Sequence, residues 1–369
     1  MTTPPLRRRT LLAGALSLGT ALGALGTTGQ ASAADGTGTG TGLGTSGGTP
    51  VPGVVVDCEA WGARPPKSPV RVLSARAQKI IVHHTATANV ADLGYDRAFA
   101  LARAMQTDQM DVRGWIDTGQ HFTLSRGAFV TEGRHQSLAA LYSGTQIVEA
   151  AHCTGQNTVA IGIENEGTYI TEEPRAEQYA ALVELCAEVC RRYGIRPYQI
   201  YGHRDFNNTQ CPGDRLYAML PQLRADVAAR IGGDPAAPAW PLLRTGDLNE
   251  RVRVLQCLLV QRGAAIVPDG SFGPATEAAV RAFQKLIEAG IDGVAGRQTW
   301  NQLCGPVAQG AAGEAVKAVQ SRLAASGFPT SADGQFGPGT RDQVIAFQSA
   351  RSLPADGVVD ARTWSHLLI

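Results

Sequence analysis

The end of the chain repeats itself. "DGSFGPATEAAVRAFQ" at 269 to 284 returns as "DGQFGPGTRDQVIAFQ" at 333 to 348, a shift of 64 residues. The same shift carries Asp292-Gly293-Val294 onto Asp356-Gly357-Val358 and Thr299-Trp300 onto Thr363-Trp364. A fixed period of this kind means one supersecondary unit used twice. In each copy, helical periodicity precedes the DG-x-FGP turn ("RVRVLQCLLV", "AVKAVQSRL"), a second helix runs through "AVRAFQ" or "QVIAFQ", and a short third ends in Trp-x-x-Leu. The tail therefore reads as two small all-α three-helix repeats, with Phe283, Trp300, Phe347 and Trp364 as core residues.

Two breaks organise the rest. "DGTGTGTGLGTSGGTPVPG" is low-complexity Gly/Thr and reads as a flexible tether, and "GGDPAAPAWP" is a short Pro-containing linker. Before them, "LRRRTLLAGALSLGTALGALG" followed by "ASA" reads as an export signal with a small-residue cleavage site. Arg8-Arg9 before Thr10, Leu11 and Leu12 resembles a twin-arginine signal, with a general secretory signal as the alternative. The expected order is a signal at 1–33, a tether at 34–55, a central domain at 56–231, a linker at 232–241 and repeats at 242–305 and 306–369. No other stretch is apolar for long enough to span a membrane, so no stable membrane insertion is expected. Lys+Arg 33 against Asp+Glu 32 leaves a formal charge of +1, which offers no basic field for nucleic acid. A monomer is expected.

The central segment alternates strand and helix patterns. "KIIVHHT" (79 to 85) is a β-branched run ending in two histidines, which reads as a buried strand delivering side chains to its end. "HFTLSRGAFVTEGR" reads as a strand pair around Arg126-Gly127, with further strands at "TVAIGIENEG" (158 to 167) and "YQIYGHRD" (198 to 205). Helical patterning covers roughly 95 to 110, 174 to 193 and 213 to 231. The fold class is α/β: a mixed central β-sheet flanked by helices, followed by the two repeats.

Seven cysteines in an exported chain leave at least one without an intrachain partner. Cys257 and Cys304 of the first copy become Ser321 and Leu368 in the second. Their joint absence favours a disulfide over two independent buried thiols. In "AEQYAALVELCAEVCRRYG", Cys186 and Cys190 fall on one apolar stripe; with Cys58 and Cys153 they could form two more bridges or remain core thiols. That leaves Cys211. A catalytic zinc takes three protein ligands and keeps a fourth position for water. His83 at a strand end, with His203 and Cys211 in "GHRDFNNTQCPG", makes such a set; the alternative is a core histidine and half of a disulfide.

"VHHTAT", "EAAHCTGQN", "GIENEGT" and "GHRDFNNTQCPG", in this order over roughly 56 to 230, resemble the N-acetylmuramoyl-L-alanine amidase family, which includes phage amidases and peptidoglycan recognition proteins. The tail resembles the peptidoglycan-binding repeat found at the ends of cell-wall hydrolases. The resemblance implies one catalytic Zn2+ per chain on His83, His203 and Cys211; strand alternation turns His84 to the opposite face and makes it structural. It implies Glu164 as general base with Glu166 as fallback, and His152 beside the metal, helping to hold substrate or transition state. Two positions depart from other members: Thr209 stands where phage relatives have a catalytic lysine, and Gln120 where many relatives have a tyrosine that stabilises the oxyanion. The implied reaction is hydrolysis of the amide between N-acetylmuramic acid and L-alanine, with peptidoglycan and the twin-arginine export machinery as partners. A metal-free recognition protein is the second reading, against which Cys211 argues, and a wall endopeptidase the third. Repeats on a short linker would tether the enzyme to the insoluble wall and raise its local concentration there.

Overall fold

The computed structural model describes residues 53–369. The expected signal and nearly all of the Gly/Thr-rich tether lie outside the described residues. Among the described residues, no helix is long and apolar enough to cross a membrane.

The central domain is built on a six-stranded mixed sheet. It comprises β1 (Val55–Val56), β3 (Lys79–His84), β4 (Phe122–Leu124), β5 (Val130–Glu132), β7 (Ala160–Asn165) and β8 (Ile200–Gly202), in the order β1-β5-β4-β7-β3-β8. Only the β4–β5 pair, the hairpin around Arg126-Gly127, is antiparallel. A separate antiparallel pair joins β2 (Val72–Leu73) to β6 (Ile147–Val148). Strand β3 lies between two parallel neighbours and is covered on both faces, so Ile80, Ile81 and Val82 are all buried and polar alternation is missing.

Alternation decides which face does what. Ile80, Val82, Ile161 and Ile163 pack with Leu182, Cys186 and Val189 of α3 (Ala176–Tyr193) and with Leu223 and Val227 of α5 (Leu220–Ile231). Ile81 and Ala160 belong to a different cluster, with Cys153, Tyr201 and Phe206. His83 and Glu164 share the parity of that second face.

The remaining helices are α1 (Tyr95–Thr107), α2 (Ser137–Ser143) and α4 (Asp214–Ala218). Helix α1 continues into a wider π turn at Asp108–Val112, and α2 has no counterpart in the sequence expectations. The helix expected at 213 to 231 is divided after Ala218, with Pro221 in the first turn of α5, where its missing N–H costs nothing. The strand expected over 198 to 205 is strand only at Ile200–Gly202. Asp205 accepts the Gly202 N–H through Oδ2 at 3.0 Å, and this bond draws His203–Asp205 into a 3-10 turn.

The tail forms α6 (Glu250–Gln261), α7 (Pro274–Leu286) and α8 (Arg297–Leu303), then α9 (Glu314–Ala325), α10 (Pro338–Ala350) and α11 (Ala361–Leu368). Trp300, Phe347 and Trp364 are fully buried and Phe283 nearly so. The repeated glutamine and DG elements explain one another. Gln284 Nε2 donates to Asp292 at 2.7 Å while its Oε1 accepts the Gly293 N–H at 2.9 Å; Gln348 does the same for Asp356 and Gly357 at 3.2 and 2.9 Å. Both turn glycines have positive φ, 74° and 75°, which favours glycine there.

All seven cysteines are free thiols, which corrects the expected Cys257–Cys304 bridge. Cys257 faces Glu314 and Lys317 at the start of α9, with burial pushing its pKa up to about 11. Cys304 faces Arg262 and lines a cavity with Tyr201 and Phe206 of the central domain. The two thiols thus answer to different neighbours, and their shared absence from the second repeat reflects two packing contacts in place of one bond. Cys58, Cys153, Cys186 and Cys190 are buried core thiols.

The linker is fastened along its length. Arg362 pairs with Asp234 at 2.7 Å, Ser365 exchanges hydrogen bonds with Ala239, and Trp240 stacks on Trp300 at 6.1 Å while donating to Asn301 Oδ1 at 2.7 Å. Residues 242–369 pack against the central domain as one compact unit with it.

Candidate metal and catalytic centre

Parallel register sets His83 beside Glu164 at the ends of β3 and β7. The turn after β8 brings in His203, and the following loop returns Cys211. One nitrogen of each histidine and the Cys211 Sγ all lie within 4.8 Å of one another. His83 Nδ1 is 3.6 Å from the sulfur, and the two imidazole rings are 4.5 Å apart between centroids. The expected three ligands are therefore brought together.

Hydrogen bonds fix which nitrogens are free. His152 Nε2 donates to the Ala160 carbonyl at 3.2 Å, which leaves its Nδ1 as acceptor for His83 Nε2–H at 2.9 Å. His83 then presents an unprotonated Nδ1. His203 Nε2 donates to Asn207 Oδ1 at 3.0 Å, so its Nδ1 is free as well. Two unprotonated Nδ1 atoms and a thiol converge, each imidazole steered by a bond on its far nitrogen, as in protein metal sites. The residues fit a metal ion that takes nitrogen and sulfur donors.

Electrostatics favours the same arrangement. Burial, then the neighbouring His203 and His152, holds His83 neutral well below its ordinary range. Burial, then His121, does the same for His152, and burial lowers His203 against the opposing bond to Asn207. Burial, then the Glu164 carboxyl, pushes the Cys211 thiol well up. A cation among these groups reverses the thiol preference, since ligation requires the thiolate.

Glu164 stands beside the cluster with a free carboxyl oxygen. Its Oε1 is 4.0 Å from His83 Nδ1, and its Oε2 is buried without a hydrogen-bond partner. Burial pushes its pKa up to about 8, partly offset by Arg113. Glu166 lies past the end of β7; its fully buried carboxylate pairs with Arg97 at 2.7 Å and accepts the Arg126 N–H at 2.9 Å. Its acceptors are committed to structure.

His152 stands behind His83 and lines the cleft. Gly162 makes room for it, since a Cβ there would come within 2.5 Å of the imidazole. His84 points away, its Nδ1 accepting the Tyr169 N–H at 3.3 Å. Thr209 Oγ1 accepts the Cys211 N–H at 3.1 Å. Gln120 lines the cleft, donating one N–H to Thr123 at 2.9 Å and accepting from Gln109 at 3.2 Å. The cleft, about 810 Å³, is also walled by Asp108, Arg113 and Trp115 and, from the tail, by Glu288. Sequence reasoning named none of these four, nor Asn207. Asn207 lies inside a quoted motif, but nothing in its spacing announces a bond to His203.

Two family models match the chain. "N-acetylmuramoyl-L-alanine amidase" covers residues 73–214, and "putative peptidoglycan binding domain" covers 249–303 and 312–367. Peptidoglycan recognition protein 1 of Bos indicus is 31% identical over 173 residues, spanning 46% of this chain and 84% of that protein. The chain belongs to the N-acetylmuramoyl-L-alanine amidase and peptidoglycan recognition protein family. Human N-acetylmuramoyl-L-alanine amidase is 30% identical over 175 residues, 46% of this chain; the match spans only 29% of that relative's length. The solved structure of wild-type Drosophila PGRP-LB aligns with 26% identity and a TM-score of 0.40, covering 50% of this chain and 98% of that one. Within this family, the matched region carries the ligand cluster and Glu164, and the two peptidoglycan-binding domains are the repeats.

Proposed function

We propose that the protein is a zinc-dependent N-acetylmuramoyl-L-alanine amidase that hydrolyses the amide joining muramic acid to L-alanine in peptidoglycan. The observation that carries this is the convergence of His83, His203 and Cys211 beside the unpartnered carboxyl of Glu164. Family membership and the two peptidoglycan-binding repeats supply the substrate class. The two peptidoglycan-binding repeats agree with action at the cell wall.

His83, His203 and Cys211 would hold the zinc, which would supply a Lewis acid and lower the pKa of a water towards about 7. His152 and Asn207 keep the His83 and His203 rings turned so that Nδ1 of each faces the site. Glu164 takes a proton from the attacking water and returns it to the departing alanine nitrogen, for which a pKa raised by burial suits it. Gln120 has one amide N–H beyond its bond to Thr123 and meets the carbonyl oxygen where relatives use a tyrosine. Thr209 keeps the Cys211 loop in shape.

The test is product analysis by mass spectrometry on purified peptidoglycan, with and without a chelator. Stem peptides beginning with L-alanine, released from intact glycan and lost on chelation, are expected. His83→Ala, His203→Ala and Cys211→Ala should each abolish stoichiometric zinc and release. Cleavage inside the stem peptide, or no release, would defeat the reading.

A further inference from the structure

Asn207 connects the metal cluster to the tail. Its Oδ1 accepts from His203 Nε2 and from Cys153 Sγ, both at 3.0 Å. Its Nδ2 donates to the Ile287 carbonyl of the first repeat at 2.6 Å. The amide that orients a metal ligand is thus itself oriented by the repeat. More of the same turn is gripped from the same side. Gln298 Nε2 donates to the carbonyls of Arg204 and Asn207 at 3.0 and 2.7 Å, Asn301 Nδ2 donates to that of Asp205 at 3.0 Å, and the Asn208 N–H donates to the Glu288 carbonyl at 2.9 Å. Gln302 reaches the other segment, donating to the Thr154 carbonyl at 3.0 Å, two residues after His152. Glu288 then closes one wall of the cleft, its carboxylate 3.2 Å from Thr154 Oγ1.

The second repeat shows that this face is particular to the first. Shifted by 64, Arg297, Gln298, Asn301 and Gln302 become Ala361, Arg362, Ser365 and His366. Core and turn residues persist between copies, but these four do not, and Arg362 and Ser365 hold the linker instead. We propose that the first repeat is a built part of the active site: α8 and the loop after α7 position His203 through Asn207 and supply Glu288 as a wall of the substrate cleft. Asn207, Gln298 and Asn301 are on this view positioning residues. The inference rests on the amidase reading of the cleft.

The experiment uses the full chain. Zinc affinity is measured by competition with a chromophoric chelator, ligand geometry by the visible spectrum of the cobalt-substituted protein, and kcat and KM on a soluble muropeptide. The double variant Gln298→Ala/Asn301→Ala should lose about 10- to 100-fold in zinc affinity, the usual effect of removing groups that orient metal ligands. Its cobalt spectrum should change, and kcat should fall on a substrate too small to need wall anchoring. Asn207→Ala should do the same, and Asn207→Asp, which keeps an acceptor for His203, should recover part of the affinity. Arg362→Ala/Ser365→Ala on the second repeat should leave all three readouts unchanged. A folded double variant with native zinc affinity, spectrum and kcat would overturn the proposal. If it fails to fold, Gln298→Ala alone decides by the same readouts. A wild-type chain that binds zinc and cleaves while the variants match it sinks this inference only; a wild-type chain that does neither sinks the amidase reading and this one with it.

Discussion

Two glutamates separated by one residue show how position alone divides chemistry from structure. Glu164 lies one residue before the end of β7 with one carboxyl oxygen buried and unpartnered, whereas Glu166, beyond the strand, has an arginine and a backbone N–H on its oxygens. Glu164→Gln should therefore keep zinc and thermal stability but lose roughly 10²–10⁴ in kcat, the range for a general acid–base group. Glu166→Gln should show the opposite pattern. It weakens buried hydrogen bonds to a charged group, each worth about 1.5–3 kcal/mol, while kcat per folded molecule holds. Calorimetry and turnover on the same two preparations check both; exchanged outcomes would mean the base is Glu166.

At the scale of elements, the sheet positions the site and a half-buried ion pair fastens α1 to the segment before β4. Asp117 accepts from His135 Nδ1 and the His135 N–H, both at 2.8 Å, and from Gln106 of α1 at 3.1 Å. Burial raises the Asp117 pKa, but the His135 and Gln106 bonds outweigh it and set it below its ordinary 3.8. The bond to Asp117 raises His135 above its ordinary 6.5 despite burial. A depressed carboxyl contributes stability above its unfolded pKa that disappears as pH falls through the folded one. A raised imidazole contributes below its unfolded pKa and loses this as pH rises through the folded one. The pair should thus stabilise most between about 3.8 and 6.5. Asp117→Asn should be less stable than wild type by about 1.5–3 kcal/mol within that window, and by less at higher pH. Denaturant unfolding at several pH values checks this; a gap that widens above neutrality would refute the linkage.

At the scale of the molecule, the repeats are fastened where the sequence suggests a leash. Arg196 of the central domain pairs with Asp356 at 2.6 Å and Asp360 at 2.8 Å in the second repeat, and α8 covers the turn that carries His203. A clamp of this kind keeps wall-binding surfaces at a fixed attitude to the cleft, so anchoring and catalysis are linked by geometry as well as by local concentration. Differential scanning calorimetry of the chain should show one transition shared by the central domain and the repeats. A separate, lower transition for the repeats would mean that they hang loosely.

The sequence by itself determined a good deal, and the reason is physical. The strand ending in His83-His84, the hairpin at Arg126-Gly127 and the six tail helices follow from local periodicity and from turns only certain residues can make. The grouping of His83, His203 and Cys211 was legible because few residue types can ligate a metal and family motifs carry them in order. Other parts are set by contacts that no short-range pattern encodes. The 3-10 turn at His203 comes from one side-chain bond to Gly202, and the thiols of Cys257 and Cys304 stay apart because each faces a different partner. The contacts of Asn207 were hidden because residues 287 and 298, 80 and 91 positions away in the chain, meet it in space. What the sequence determined was local preference and donor chemistry. The tertiary structure alone decided which nitrogen of each histidine faces the cluster and which carboxyl stays unpaired. It also decided that the first repeat bonds to Asn207, which bonds to His203, because hydrogen-bond partners are fixed by the packing of distant segments.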